Sequence, residues 1–300
     1  MDVSFRAATI LGAGLLGGSL GMALRARGLA ARIRAWSPSP STRDRCREAD
    51  WCDEVSGSAA EACRGADLVV ACGPVDRIPG LLAEIAPACG EGCLVTDVGS
   101  TKKTICAKAR EAFPPGHPAR FVGSHPMAGS EKSGLAYADP GLFAGRTCLV
   151  TPDEGTDPGA LARIRALWEG LGMRTSCFGP PEHDRVVAEV SHLPHALAAI
   201  LCAMLSERAV ESAAAAGPGL RDSTRIAAGD PELWAAIFRE NEPALREALA
   251  RFDERLGSFR RVLASGDDEA LAAYLGGAKR FRDGLDAGCG REGAPPSTDP

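Results

Sequence analysis

The feature that most constrains this chain is a glycine-rich turn after its first apolar run. Residues 7–11 (AATIL) are apolar, Gly12, Gly14 and Gly17 follow, and residues 19–27 then place apolar side chains at helical spacing. This order predicts a strand, a tight turn and a helix. In a dinucleotide-binding turn the first glycine permits the bend, the second lets the backbone approach the pyrophosphate, and the third lets the helix pack on the strand. The turn therefore predicts a Rossmann-type domain that binds a dinucleotide.

The residue after the second predicted strand bears on the choice of cofactor. An NAD-binding domain usually ends this strand with an acidic residue, which accepts a hydrogen bond from the ribose 2′-hydroxyl. Strand 31–36 is followed instead by Ser37, with Arg43 nearby. A carboxylate would repel a 2′-phosphate, so its absence leaves both NAD and NADP open as the cofactor. The predicted cofactor contacts are Gly12, Gly14, Leu15, Leu16, Gly17, Ser37, Gly73 and Pro74.

Short apolar runs alternate with helical patterns as far as residue 178. The helical patterns separate most of the runs, as expected for a parallel, doubly wound α/β sheet whose last strands are antiparallel at the edge. Beyond the second strand, the sequence predicts strands over 67–72, 93–98, 120–123, 147–151 and 173–178.

The predicted secondary structure changes beyond residue 181, where strand patterns stop and alanine-rich helical patterns replace them. A chain of 300 residues usually forms more than one domain. We therefore expect a nucleotide-binding domain over 1–176 and an all-α domain over 177–284, with a disordered tail over 285–300. The apolar surface of the predicted helices indicates that this second domain pairs with a second copy as a homodimer. Its segment 221–226 (RDSTRI) carries two arginines that are suited to bind carboxylates, so we expect this domain to bind substrate as well.

Two predicted strands end in segments that carry reactive polar groups, residues 97–102 (DVGSTK) and 123–134 (GSHPMAGSEKSG). Glycine and serine at this density favour a loop, and histidine readily accepts a proton near neutral pH. Ligands of a parallel sheet bind at the carboxyl ends of its strands. We therefore expect Ser100 and His125 to face the nicotinamide.

Composition and charge argue against several other classes of protein. The formal net charge is -5 and Lys and Arg form no cluster, which argues against binding of nucleic acid. No uncharged apolar run reaches the roughly 18 residues of a membrane span, so we expect no membrane association. The eleven cysteines are odd in number and too sparse for a disulfide scaffold. We therefore expect reduced thiols and a cytoplasmic protein.

Three of the five histidines, His183, His192 and His195, lie close together at the start of the helical region. Histidines at such spacing can bind a metal ion. Metal sites usually add carboxylates at fixed spacing, however, and Pro194 is typical of the first turn of a helix, with the histidines around the helix start. We therefore expect no metal site in this chain.

Five motifs together resemble the prephenate/arogenate dehydrogenases of tyrosine biosynthesis, over about residues 6–282. The glycine turn is shared with many dehydrogenases, whereas the other four in combination are specific to this family. The motifs are 12–19 (GAGLLGGS), 97–102 (DVGSTK), 124–134 (SHPMAGSEKSG), 191–195 (SHLPH) and 222–227 (DSTRIA).

The resemblance implies an activity and roles for individual residues. The activity is NAD- or NADP-dependent oxidative decarboxylation of a cyclohexadienol that bears a ring carboxylate. The catalytic histidine falls on His125, its serine partner on Ser100, and the arginine that binds a substrate carboxylate on Arg225. Further substrate contacts fall on Glu131, His195, Arg221, Asp222 and Trp234.

Two other functions share parts of the pattern. The β-hydroxyacid dehydrogenases have a similar two-domain layout but rely on a lysine in the helical domain, and residues 181–215 contain no lysine. A non-catalytic dinucleotide-sensing module would keep the glycine turn without needing His125 or Arg225. The sequence does not separate prephenate from arogenate, because both share the ring and differ only in the side chain.

Overall fold

The computed structural model describes residues 4–129 and 132–288. The chain divides into two compact units, residues 1–245 and residues 246–300. The first unit contains both sheets and every residue of the cavity described below.

A six-stranded, fully parallel sheet forms the centre of the first unit, which confirms the predicted Rossmann-like fold. Its strand order is β3-β2-β1-β4-β5-β6, and every residue of β4 and β5 is buried. Continuous burial is typical of a parallel sheet whose two faces are both covered by helices. The strands are β1 (Phe5–Leu11), β2 (Ala30–Trp36), β3 (Glu54–Val55), β4 (Leu68–Ala71), β5 (Leu94–Asp97) and β6 (Arg120–Phe121).

Helices connect these strands, and side chains cap several of them. Ser39 and Ser58 each accept a hydrogen bond from a backbone N–H in the first turn of the following helix, and Asp157 does the same further along the chain. Such caps satisfy N–H groups that have no partner within the helix. The helices are α1 (Leu15–Ala26), α2 (Pro40–Arg47), α3 (Ala59–Cys63), α4 (Ile78–Ile85), α5 (Lys103–Ala112) and α6 (Pro158–Gly170).

The last three strands form a second sheet rather than the edge of the first. They are β7 (Gly123–Pro126), β8 (Thr147–Thr151) and β9 (Arg174–Cys177), with β7 antiparallel to β8 and β8 parallel to β9. The single strand predicted over 120–123 is therefore divided between β6 and β7. Val122 donates its N–H to Val95 of the first sheet, and from Gly123 onward the chain pairs with β8 instead. This departure carries His125 onto a strand instead of the predicted loop.

The helical region begins at Pro180, and residues 178–179 connect it to β9. Pro194 is the second residue of its helix, as expected, but a π-helical turn, Ala188–His192, joins that helix directly to the one before. Proline lacks an N–H and crowds the preceding turn, and a wider π-turn is one way to accommodate it. The helices here are α7 (Pro180–Val187), α8 (Leu193–Ser206), α9 (Ala209–Ala214), α10 (Pro218–Thr224) and α11 (Pro231–Glu240).

The continuous run Pro180–Ser206 is long and apolar enough to cross a membrane by length and composition alone. It also carries Asp184 and His192, which are buried and hydrogen-bonded to other parts of the first unit. These two side chains are explained by their contacts within the first unit, whereas Ile200 and Met204 further along the run are exposed.

Two long helices, α12 (Glu242–Ala264) and α13 (Asp268–Gly288), supply the second unit from Arg246 onward. Phe259 and Tyr274 pack against each other there, with ring centroids 5.5 Å apart. The tail predicted to be disordered over 285–300 is helical as far as Gly288, because neither proline nor a turn-forming cluster interrupts the helix before that point. The rest of that segment lies outside the described residues.

Candidate active site

A cavity of about 360 Å³ opens near the carboxyl ends of the strands, and most of the predicted catalytic and substrate-binding residues line it. His125 comes from β7, Ser100 from the segment after β5, and Leu16 from the first turn of α1. The helical region completes the walls with His192, His195, Arg225 and Trp234. Residues far apart in the sequence thus meet beside the glycine turn.

A larger cavity, of about 510 Å³, lies elsewhere, between α5 and the segment 153–158. It contains none of the predicted site residues, and Arg110 on its wall is already paired with Asp153, at 3.5 Å. The smaller cavity is therefore the candidate active site.

His125 is almost fully buried, with 8% of its surface exposed, and its Nδ1 lies 3.0 Å from Nε2 of His183. Burial is the main reason that the pKa of His125 lies well below its ordinary value, and the nearby His183 and Lys102 lower it further. The imidazole is therefore neutral at physiological pH. A neutral imidazole on the wall of a cavity can accept a proton from a bound hydroxyl group.

A carboxylate lies behind this pair of histidines. His183 Nδ1 is 2.8 Å from Asp184 Oδ1, and the backbone N–H groups of Lys102 and Lys103 donate to the same carboxylate, at 2.7 and 2.9 Å. Burial acts to raise the pKa of Asp184, but the hydrogen bonds from His183 and the two backbone groups outweigh it and lower the pKa. The hydrogen-bonded series His125–His183–Asp184 thus ends in a carboxylate anion.

A buried ion pair supports the same region. Lys102 and Asp97 are both 0% exposed, and Lys102 Nζ donates to Asp97 Oδ2. The other carboxylate oxygen of Asp97 accepts the backbone N–H of Ser124, at 3.1 Å. Because Ser124 directly precedes His125, the pair fixes the position of the strand that carries the imidazole.

Two further histidines line the cavity, and each has a nitrogen available for a ligand. Asn241 Nδ2 is 3.1 Å from His192 Nδ1, so the proton of this ring resides on Nε2. Within the described part of the chain, His192 Nε2 and His195 Nδ1 are buried without a hydrogen-bond partner. The pKa of His192 is lowered to about 4, mainly because the ring is buried. Burial also lowers the pKa of His195. His195 stacks on Trp234 with ring centroids 3.5 Å apart, which gives the cavity a flat aromatic wall.

The remaining predicted substrate contacts are not all in this cavity. Arg225 lines it, from a short 3₁₀ turn that follows α10. Arg221 and Asp222 are exposed on α10 and do not line the cavity. Glu131 lies outside the described residues.

The predicted cofactor contacts converge on the turn after β1. Gly12 has a φ of 98°, which only glycine adopts freely, and a Cβ on Gly17 would lie 2.1 Å from the carbonyl oxygen of Gly12. Gly73 and Pro74 follow β4, where a Cβ on Gly12 would come within 3.2 Å of the Gly73 nitrogen.

The start of α1 fits a dinucleotide phosphate. The cap residue, Gly14, has no side chain to bond the first N–H groups, and space around its Cα is open. The first turn, at Leu15 and Leu16, is therefore available for an anion. Ser37 is buried at the end of β2, as the sequence placed it.

Sequence reasoning left several of these residues without a role. His183 and His192 stood out only as part of a histidine cluster, and Asp184 only as the neighbour of His183. Asn241 carries no sequence signal at all. The structure shows His183 in hydrogen-bond contact with the ring of His125, a partner that the sequence did not predict. Among the described residues, no group of three or more His, Cys, Asp and Glu side chains is arranged to hold a metal ion.

Comparisons with known proteins agree with this geometry. A family model described as "Prephenate dehydrogenase, nucleotide-binding domain" matches residues 20–177, and one described as "Prephenate dehydrogenase, dimerization domain" matches residues 179–277. The chain is 34% identical to the cyclohexadienyl dehydrogenase of Zymomonas mobilis over 283 residues, which cover 93% of this chain and 95% of that protein.

Solved structures give the same result. Prephenate dehydrogenase from A. aeolicus, in complex with hydroxyphenyl propionate and NAD+, is similar with a TM-score of 0.87 and 30% identity, over 95% of this chain and 100% of that one. Arogenate dehydrogenase from Synechocystis is similar with a TM-score of 0.80 and 28% identity, over 93% and 99% of the two chains. These matches favour the predicted activity over a β-hydroxyacid dehydrogenase or a sensing module. The chain belongs to the prephenate dehydrogenase family of NAD(P)-dependent oxidoreductases.

Proposed function

We propose that this chain oxidises and decarboxylates prephenate or arogenate, with His125 as the base that accepts the proton of the substrate hydroxyl. The observation that carries this assignment is a buried, neutral imidazole on the wall of a cavity that also contains Arg225. Leu16, from the first turn of α1, lines the same cavity, so the base lies close to the predicted cofactor site.

Each group in the cavity has a task in this reaction. The bound nicotinamide supplies the hydride acceptor. His125 takes up the hydroxyl proton as the carbinol carbon is oxidised, and loss of the ring carboxylate as carbon dioxide makes the ring aromatic. Arg225 binds a carboxylate through its guanidinium group, which is suited to forked hydrogen bonds. Ser100 contacts the substrate or the nicotinamide, and the stacked His195 and Trp234 offer a flat surface to the ring.

The test follows the ultraviolet absorbance of the reduced nicotinamide with prephenate, arogenate or a β-hydroxyacid, each with NAD and with NADP. His125→Asn is expected to lower kcat by about 10²- to 10⁴-fold, the contribution of a positioned base, with a much smaller effect on KM. His117→Asn, outside the cavity, is the matched control. Near-normal turnover by His125→Asn would show that another group is the base, and reaction with the β-hydroxyacid alone would contradict the proposed activity.

We also propose that NADP is accepted as a cofactor. Ser37 follows β2 where an NAD-binding domain usually has a carboxylate, and the Arg43 guanidinium lies against the same loop, where Nη1 donates to Ser37 O at 2.6 Å. A 2′-phosphate placed here would meet a cation and hydroxyl groups instead of a negative charge. Ser37→Asp is expected to weaken use of NADP by about 10²-fold, because like charges brought together cost several kcal/mol. Ser37→Ala is the neutral control, and equal loss of NADP use in both variants would contradict this role.

The assembly that we propose is a homodimer formed through the helical region. The matching family model is described as a dimerization domain, and α8 together with the π-turn before it exposes apolar side chains, with Val190 62%, Ile200 57% and Met204 58% exposed. Sedimentation is expected to show a dimer at micromolar concentration, and Ile200→Glu to shift it to monomer. A stable monomer of the unmodified chain would contradict the proposal.

The cytoplasm is the proposed location. All ten cysteines of the described residues are free thiols, as expected in a reducing compartment. Fractionation of cells that express the chain is expected to recover it with cytoplasmic markers, and recovery in the membrane fraction would contradict this location.

A further inference from the structure

We propose that His183 and Asp184 form a proton relay behind His125: they fix the neutral His125 ring with its Nε2 lone pair toward the cavity, and they then take up the proton that His125 accepts. This inference rests on the proposed role of His125 as the base. His183 is a positioning residue in this scheme, since it contacts the imidazole and not the substrate.

The direction of each hydrogen bond follows from the carboxylate. Asp184 is an acceptor toward His183, because it already accepts two backbone N–H groups and its hydrogen bonds keep it ionised. His183 Nδ1 therefore carries a proton and donates to it, at 2.8 Å. A neutral imidazole has one donor and one acceptor nitrogen, so His183 Nε2 is the acceptor. His125 Nδ1 must then donate across the 3.0 Å contact, which leaves Nε2 of His125 unprotonated.

The same chain provides a place for the transferred proton. When a substrate hydroxyl gives its proton to Nε2 of His125, the ring can pass the proton on its Nδ1 to Nε2 of His183. His183 is then protonated on both nitrogens beside the Asp184 carboxylate, and His125 returns to a neutral ring with its proton on Nε2. Within the relay one proton enters at the cavity and one moves between the rings. After product leaves, the proton on Nε2 of His125 is released to solvent through the cavity, and the Nε2 proton of His183 returns to Nδ1 of His125, which restores both neutral rings.

The charges around the relay favour this end point. Burial is the largest cause that lowers the pKa of both His125 and His183, and the buried Lys102 lowers both further. Only His183, however, has a carboxylate in direct contact, and Asp97 adds a second negative charge in its surroundings. His192, which also lies near His125, is neutral at physiological pH and supplies no competing charge.

A histidine with a purely structural role would tolerate different substitutions from a histidine that carries a proton. His183 is 0% exposed and has both ring nitrogens in hydrogen bonds, so a packing role alone would be satisfied by any side chain that keeps those bonds. Two amide substitutions separate the tasks. In His183→Gln the longer side chain brings its amide to the position of Nε2, where it can accept from His125 but cannot carry the proton. In His183→Asn the shorter side chain brings its amide to the position of Nδ1 near Asp184 and leaves His125 without its acceptor.

The experiment combines nitrogen NMR of histidine-labelled protein with steady-state kinetics of His183→Gln and His183→Asn. The NMR needs no substrate. The signals of His125 are assigned as those that disappear in His125→Asn. We expect His125 to be protonated on Nδ1 in the unmodified chain and in His183→Gln, and to lose this preference for Nδ1 in His183→Asn. We expect kcat to fall at least about 10-fold in His183→Gln and about 10²-fold or more in His183→Asn, because the wrong tautomer of a catalytic histidine can cost as much as about 10⁴-fold.

The pH profile supplies a readout that loss of packing would not give. In His183→Gln the acid limb of kcat/KM is expected to move to lower pH, since the protonated base no longer has the Asp184-paired ring as an alternative site. His117→Gln serves as the control histidine, and unfolding curves establish that each variant is folded. A proton on Nε2 of His125 in the unmodified protein would overturn the tautomer assignment. Unchanged kcat and an unchanged acid limb in His183→Gln would overturn the relay.

Different results would contradict the proposed function and the proposed relay. If the unmodified chain oxidises neither prephenate nor arogenate, the proposed function is wrong. The hydrogen-bond directions are then tested by NMR alone, from the tautomer of His125 in the unmodified chain and in the two variants. If oxidation proceeds and the tautomer is the opposite one, the function stands and the relay is wrong.

Discussion

Acidification is expected to destabilise the fold well before its carboxylates are protonated, because the cavity buries several neutral histidines. The ordinary pKa of histidine is near 6.5, and burial lowers that of His192 to about 4. When the pKa of the folded state is depressed, the unfolded chain binds the proton first as the pH falls. The stability that His192 contributes is therefore full above about pH 6.5 and is lost progressively between that value and about pH 4.

The size of the effect follows from the width of this window. The pKa of His192 falls from 6.5 to about 4, a difference of about 2.5 units at about 1.4 kcal/mol each. His192 alone thus accounts for about 3 kcal/mol of unfolding free energy lost across the window. Burial also lowers the pKa of His125 and His183, so both act in the same direction. The pKa of Asp184 is lowered as well, but a carboxylate loses its stabilising contribution only below its ordinary range, outside this window.

The assay is urea denaturation followed by tryptophan fluorescence, at fixed ionic strength and at several values between about pH 7.5 and about pH 4.5. The midpoint is expected to fall steadily below about pH 6.5. His192→Asn removes one titrating group, so its midpoint should fall less over the same range than that of the unmodified chain. A free energy of unfolding that stays constant down to about pH 5 would show that these histidines are not held neutral by the fold.

Three further substitutions test separate parts of the structure. Lys102→Met should cost about 3 to 5 kcal/mol of stability by urea denaturation, because it leaves the buried Asp97 carboxylate without its cation, and a loss below about 1 kcal/mol would contradict the pairing. Gly17→Ala should abolish cofactor binding in a fluorescence titration, because its Cβ would lie 2.1 Å from Gly12 O, and unchanged affinity would contradict the packing. Arg225→Ala should raise KM by about 10- to 150-fold, the equivalent of about 1.5 to 3 kcal/mol, with little change in kcat, and a loss confined to kcat would contradict its binding role.

Much of the fold could be predicted because its signals are local. The glycine turn needs Gly12 for a positive φ and Gly17 for close packing, and both requirements are visible in the sequence. The parallel strands are continuous apolar runs, since both of their faces are buried. The division of 120–123 between two sheets could not be predicted in the same way, because which neighbour a short strand pairs with depends on residues distant in the chain.

The sequence by itself determined the glycine turn, the helical second half and the candidacy of His125 as a site residue, because each depends on residue types at short spacing. Only the tertiary structure decided which groups act on that histidine. His183 lies 58 positions further along the chain and reaches the imidazole, with Asp184 behind it, because the helix that begins at Pro180 lies against β8, the strand paired with the one that carries His125. The protonation state of the site is likewise a tertiary property, since burial and neighbouring charges, rather than residue type, keep the imidazole neutral.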